Sequence, residues 1–247
     1  MTEPAAYGYL DRLIDIMVRI RSEDLDGGIE RAADAVADSL AAGGLLHVFG
    51  TGHSHLLALE LFYRAGGLAA VNPILVESLM LHVSASQSTL VERKQHNLDE
   101  IVSRHRLEAG DTLLVISNSG ANAAPAEVAA YAKQRGLKVI ALTSLAHSVS
   151  DENRASDSTL IAIADVVLDN HGAPGDAATA VAGLSSAMGP TSTVSGAAIV
   201  NALAIRAAEL MVARGVAPDV FVSANLRGGD ESNAALVEAY ADRIGAL

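Results

Sequence analysis

Apolar residues recur at helical spacing over residues 7–20, where Leu10, Leu13, Ile14, Met17 and Val18 form one stripe. A second stripe, Ile29, Ala32, Ala33, Val36 and Leu40, runs through 22–42, and Gly43-Gly44 stops it. The period then changes. Leu45-Leu46-His47-Val48-Phe49 is a short, mainly apolar run, read as a buried strand, and it leads into Gly50-Thr51-Gly52-His53-Ser54. A helix is predicted from about His55 to Ala65, ended by Gly66-Gly67, with a second strand over 69–76. Residues 78–92 carry no clear period, and 93–105 look helical. Thr112 to Ile116 is the strongest strand pattern; it feeds Ser117-Asn118-Ser119-Gly120 and a helix over about 122–135. Strands follow at 138–142, ending in Thr143-Ser144, and at 164–168. The stretch 147–158 reads as a loop or short helix and 170–189 as a long loop. The segment 190–213 reads as a long helix, apolar on nearly every face and so bound for a core or a subunit interface. A last helix covers about 231–244.

Strands alternating with helices imply an α/β fold, a doubly wound parallel sheet flanked by helices, with an N-terminal helical extension. No repeat or linker divides the chain. The expectation is one domain over 1–247: helices in 1–42, an α/β core over about 43–215, and a C-terminal tail over 216–247. Composition agrees: half of the 247 residues are hydrophobic, only 3% are aromatic, and tryptophan is absent. That suits close-packed helices on a branched-aliphatic sheet. The absence of cysteine removes disulfides, thiol catalysis and cysteine-bound metals. The N-terminus lacks the basic start and apolar run of a signal peptide, and unbroken apolar stretches are only about ten residues, short for a membrane span. A cytoplasmic protein without membrane contact is expected.

The formal charge of −12 makes nucleic acid an unfavourable partner, since no basic cluster offsets it. It also constrains how an anion is held. With 17 Lys and Arg scattered along the chain, an anion site must use backbone N–H groups, hydroxyls and helix N-termini. Three predicted strands end in loops of that kind: Gly52-His53-Ser54, Ser117-Asn118-Ser119-Gly120 and Thr143-Ser144. In an open parallel sheet, ligands bind beyond the carboxyl ends of the strands. One such loop is ordinarily a helix cap; two strand-to-helix junctions of this kind, with a third hydroxyl-rich strand end, point to a shared anion site. Nucleotide motifs fit poorly. Gly50-Thr51-Gly52 opens like a dinucleotide fingerprint, but His55 stands at the third glycine position, and no Gly-Lys-Ser/Thr occurs.

A strand, Gly-x-Ser, a helix, and then a strand ending in Ser-x-Ser-Gly together resemble the SIS (sugar isomerase) domain family, over about residues 30–215. The whole chain resembles a bacterial branch of stand-alone SIS proteins. The resemblance implies that Ser54, Ser117 and Ser119 bind the phosphate of a phosphosugar. Asn122, where members often carry threonine, remains able to donate. It further implies a homodimer or tetramer, with sites completed by a neighbouring subunit, and no cofactor.

Isomerising members move a proton between adjacent carbons with a glutamate base and a histidine that opens the ring. The segment Gly189 to Thr193, where some members carry that glutamate before a Ser-Thr pair, has none. The candidates in its place are Glu60, six residues after Ser54, and Glu77, after the second strand. Arg64, four residues beyond Glu60, offers an ordinary ion-pair explanation for Glu60, and Glu209 is expected to pair with Arg206. His53 and His55 flank Ser54, so one of them faces the anion, to neutralise it or to shuttle protons; His55 is taken as the catalytic candidate. His82 and His96 fall in segments without a clear role. No carboxylate set accompanies the histidines to suggest a metal. The expected function is phosphosugar binding with aldose–ketose isomerisation by proton transfer. The alternatives are a non-catalytic phosphosugar sensor and a sugar-phosphate lyase or etherase.

Overall fold

The computed structural model describes residues 4–24, 27–94, 98–150 and 159–247. Strands β1 (Leu46–Gly50), β2 (Val71–Ile74), β3 (Thr112–Ile116), β4 (Lys138–Thr143) and β5 (Val166–Asp169) form a five-stranded parallel sheet in the order β2-β1-β3-β4-β5. Alternation along each strand sends side chains to opposite faces. Leu46, Val48, Leu114, Ile116, Ile140 and Leu142 lie on one face, packed with α2 (Gly28–Ala41), α3 (His55–Leu61) and α9 (Ser192–Ala213). Phe49, Leu113, Val115, Val139 and Ala141 lie on the other. There they meet α5 (Leu98–Val102), α6 (Ala123–Gln134) and α8 (Thr159–Ile163). Both faces are covered, which is why the strands read as continuous apolar runs rather than as alternating ones.

The chain moves outward from β1 to β2 over one face and from β3 to β4 over the other. The order therefore reverses between β1 and β3, and adjacent connections leaving these two strands part there into a crevice. That crevice matters below.

The N-terminal helices divide in role. Helix α2 packs into the core, whereas α1 (Ala5–Glu23) buries Ile16 and leaves Tyr7, Leu10, Ile14 and Val18 exposed. Helix α9 is long and apolar enough, by length and composition alone, to cross a membrane, although no unbroken apolar run suggested it. Here Ile199, Val200, Leu203, Ala207 and Met211 on it are buried in the sheet-facing cluster.

Other expectations shift. Helix α3 ends at Leu61, where Phe62 turns to extended backbone, four residues earlier than the glycine pair suggested. The segment 78–92, without a clear sequence period, contains α4 (Leu81–Glu92), interrupted by extended backbone at Ser84. Among the described residues of the expected 93–105 helix, 98–102 are helical; 95–97, with His96, lies outside the described residues. So does 151–158; of the stretch before it, Leu145–Ser148 forms α7. The presumed loop 170–189 contains a hairpin of β6 (Ala177–Thr179) and β7 (Met188–Pro190), whose strands are too short to show a period. After α9, Val220 bridges antiparallel to Leu68, and α10 (Gly229–Tyr240) follows. Arg243 then reaches Asp111 at the amino end of β3.

Candidate functional site

The Gly50-to-Ser54 loop leaves β1 in a tight reversal. A Cβ on Gly50 would lie 2.7 Å from the Ser54 backbone, so only glycine lets Ser54 fold back over the strand end. The loop leaving β3 turns at Gly120, whose φ of +64° is a left-handed conformation that glycine adopts without strain. Register places Gly50 beside Ile116, so the two loops leave neighbouring strand ends. Ser54 and Asn118 line one small cleft with Leu57, Ile116, Leu142, Asn170, Ser192 and Thr193. No Lys or Arg is among these lining residues.

Ordinary capping does not account for these loops. Ser54 precedes α3 and Asn122 precedes α6, yet neither side chain caps its helix. The Ser117 hydroxyl accepts from the Gly120 amide at 3.2 Å, and that of Ser119 from the Ala121 amide at 3.4 Å, which sets the shape of the second loop. Helix α6, with three turns, directs its positive end toward this loop. Helix α3 has only seven residues and adds little by that route.

Asn118 connects the loop to the next strands. Its carbonyl accepts from the Ser144 amide at 3.1 Å and the Thr143 hydroxyl at 3.2 Å. Its side-chain oxygen accepts from the Asn170 amide at 2.9 Å. Thr143 and Ser144 are fully buried, and their hydroxyls are engaged within the protein: Thr143 with Ser148, and Ser144 with the Gly172 carbonyl at 2.6 Å. They stand behind the cleft and hold its wall.

His55 is 7% exposed, and its Nδ1–H donates to the Gly52 carbonyl, leaving Nε2 as the second ring nitrogen. Its ring lies 6.4 Å from that of His82, on α4. His53 is exposed. Glu60 lies further down α3; its carboxylate pairs with Arg64 and accepts from Asn201 of α9 at 2.8 Å. Glu77 is exposed at a 3-10 turn after β2. Of the three acid–base candidates, His55, the first residue of α3, alone directly follows the strand-end loop. Glu209 pairs with Arg206, as expected.

Two carboxylates that sequence reasoning missed lie at this end of the sheet. Asp176, from the β6–β7 segment, accepts from the backbone amides of Thr191 and Ser192 at 3.0 and 2.9 Å and from the Ser192 hydroxyl at 2.6 Å. It supplies the N-terminus of α9 with its anion. Glu92, the last residue of α4, accepts from the Thr51 hydroxyl at 2.7 Å and the Asn122 amide at 3.1 Å. It thereby spans the loops leaving β1 and β3. Its signal was hidden because the 78–92 segment showed no period.

Among solved structures, the phosphoheptose isomerase GmhA from Neisseria gonorrhoeae is similar, with a TM-score of 0.53 and 18% identity over 82% of this chain and 96% of that one. A phosphoheptose isomerase from Francisella tularensis gives 0.51 and 19% over 82% and 95%. At such identity the likeness establishes a shared fold. Closer in sequence, a UPF0309 protein of Listeria innocua is 41% identical over 239 residues, covering 95% of this chain and 97% of its relative. One of Brucella canis is 43% identical over 231 residues, covering 93% and 94%. The SIS domain family matches residues 8–144, a span that holds both serine loops, and the chain belongs to that family.

Proposed function

We propose that this protein binds a phosphosugar with its phosphate in the crevice between β1 and β3, and that it moves a proton between adjacent carbons of the sugar, as an aldose–ketose isomerisation requires. The observation that carries this reading is the convergence of Ser54, from the first loop, and Asn118, from the second, on one small cleft at the point where strand order reverses. The hydroxyls of Ser54, Ser117 and Ser119, the amides of Asn118 and Asn122, and the peptide groups of Gly52 and Gly120 are its anion ligands. Thr143 and Ser144 hold the Asn118 carbonyl in place.

His55 is the proton-handling group in this reading. Its Nδ1–H is committed to Gly52, so Nε2 is the atom that meets the substrate. Glu60, on α3, and Glu77, after β2, are the candidate bases in this reading, and Glu60 serves only by leaving Arg64 and Asn201. That same engagement favours a second reading, a phosphosugar sensor, in which Glu60 is structural and nothing is turned over. The exposed apolar face of α1 beside Val194 of α9 supports a second copy of the chain as partner. The cytosol is the compartment this reading assigns.

Calorimetry on the Ser117→Ala, Ser119→Ala double variant tests the site. Phosphosugar affinity should fall at least about tenfold, because each lost hydrogen bond to a charged group costs about 1.5–3 kcal/mol; unchanged affinity would remove the site. Incubation in D₂O separates the two functions. An isomerase exchanges deuterium into C1 or C2 of its substrate, and a sensor exchanges none.

A further inference from the structure

The Thr51 hydroxyl and the Asn122 amide are donors on the two loops that the proposed function gives to a phosphate, and both are engaged by Glu92. Each oxygen of the half-buried carboxylate takes one of them, Oε2 from Thr51 and Oε1 from Asn122. The carboxylate therefore bridges the crevice as a phosphate would. A phosphate that takes the Asn122 amide would compete with Glu92 for that donor, and two anions so close repel strongly where water is partly excluded. A phosphate entering here and an ionised Glu92 staying in place are incompatible.

We infer that Glu92 is an internal anion that holds the site closed, and that the ligand's phosphate displaces it from Thr51 and Asn122. The element carrying Glu92 suits this role. Helix α4 is broken at Ser84 by extended backbone (φ −165°, ψ 107°), which separates its first turn from the 85–92 segment. The first turn lies against the Gly52 loop through His82 and His55. Ser88 anchors the middle of the helix by donating to the Leu79 carbonyl at 2.8 Å. Glu92, at the far end, clasps the last turn to both loops. Displacing the carboxylate frees that turn while Ser88 keeps the rest docked. In this scheme Glu92 is a positioning residue that selects for ligands charged enough to replace it: a neutral sugar leaves the clasp shut, and a phosphosugar opens it.

The inference rests on the phosphate site proposed above, and sulfate titration separates the two. Sulfate keeps its charge near neutral pH and needs no knowledge of the sugar. Glu92→Gln should bind sulfate at least tenfold more tightly than the natural chain, and Glu92→Asp should fall between them. Amide hydrogen exchange gives a second readout. In the natural chain, sulfate should speed exchange in residues 89–92; in Glu92→Gln, exchange there should already be fast without it. If the natural chain binds sulfate and Glu92→Gln binds it no better, the clasp is wrong and the site stands. If neither binds sulfate or inorganic phosphate, the site itself falls, and the clasp with it. Thr51→Val checks the geometry without altering charge: it should loosen the same turn, and unchanged exchange there would also overturn the clasp.

Discussion

Replacing Asp111 with asparagine should destabilise the protein at neutral pH and change how it responds to acid. Asp111 is 2% exposed at the amino end of β3 and accepts four hydrogen bonds. They come from the Leu45 and Glu108 amides, each at 2.9 Å, His47 Nε2 at 2.9 Å and Arg243 at 2.6 Å. The Asn72 amide donates to His47 Nδ1 at 2.8 Å, which fixes the ring as the tautomer that donates toward Asp111. Burial alone would push the carboxyl upward. The His47 ring and the Glu108 and Leu45 amides outweigh it and hold the pKa at about 2, against the ordinary 3.8. At 1.36 kcal/mol per unit, that difference is worth about 2 kcal/mol.

The sign follows from the direction. A depressed carboxylate stabilises the fold above its unfolded pKa, and the contribution is lost as pH falls from about 4 to about 2. His105, nearby, is held at about 4, chiefly by burial and further by the charge of Arg104. The unfolded chain thus takes up a proton that the folded one refuses between about 6.5 and about 4, and stability falls over that window too. Urea unfolding at a series of pH values should show both limbs. His105→Gln should flatten the upper limb. Asp111→Asn should shrink the lower one, leaving the part that Asp165 supplies, and cost about 3 kcal/mol at pH 7, since it leaves buried partners uncompensated. Equal stability of Asp111→Asn and the natural chain at pH 7, or the same slope below pH 4 in both, would refute this account of the cluster.

Other outcomes follow from the same geometry. Gly50→Ala places a methyl 2.7 Å from the Ser54 backbone, so phosphosugar affinity should drop at least about tenfold while far-ultraviolet circular dichroism stays unchanged. Intact affinity would mean that the first loop does not depend on that close approach. Ile14→Glu with Val18→Glu puts charge on the exposed face of α1, and sedimentation velocity should show the assembly shift to monomer. A natural chain that is already monomeric at every concentration would exclude that interface.

The parts of this fold that could be read in the sequence are those with a strong local signal. The five core strands stand out as apolar runs because both sheet faces are covered, and glycine marks the ends of α2 and α6. The serine loops stand out because small polar residues follow each strand at once. What stayed hidden depends on long-range contacts. Glu92 meets Thr51 and Asn122 across 41 and 30 residues of chain, on a helix too broken at Ser84 to show a period. Asp176 serves α9 from a hairpin of three-residue strands, 16 residues before Ser192. The His47–Asp111–Arg243 cluster joins three distant segments, and a histidine within an apolar strand gives no hint of its partners. Glu60 is the instructive intermediate case. Its pairing with Arg64 matches the expectation from sequence spacing, although α3 ends at Leu61 and Arg64 lies beyond the helix, whereas its bond to Asn201 spans 141 residues.

A crystal structure with a phosphosugar soaked in tests the central claim most directly. The account places the phosphorus atom among the Ser54 hydroxyl and the Ser117-to-Gly120 loop, within hydrogen-bond reach of both and with no Lys or Arg touching it. A phosphate found elsewhere, or held there by a basic side chain, would contradict it.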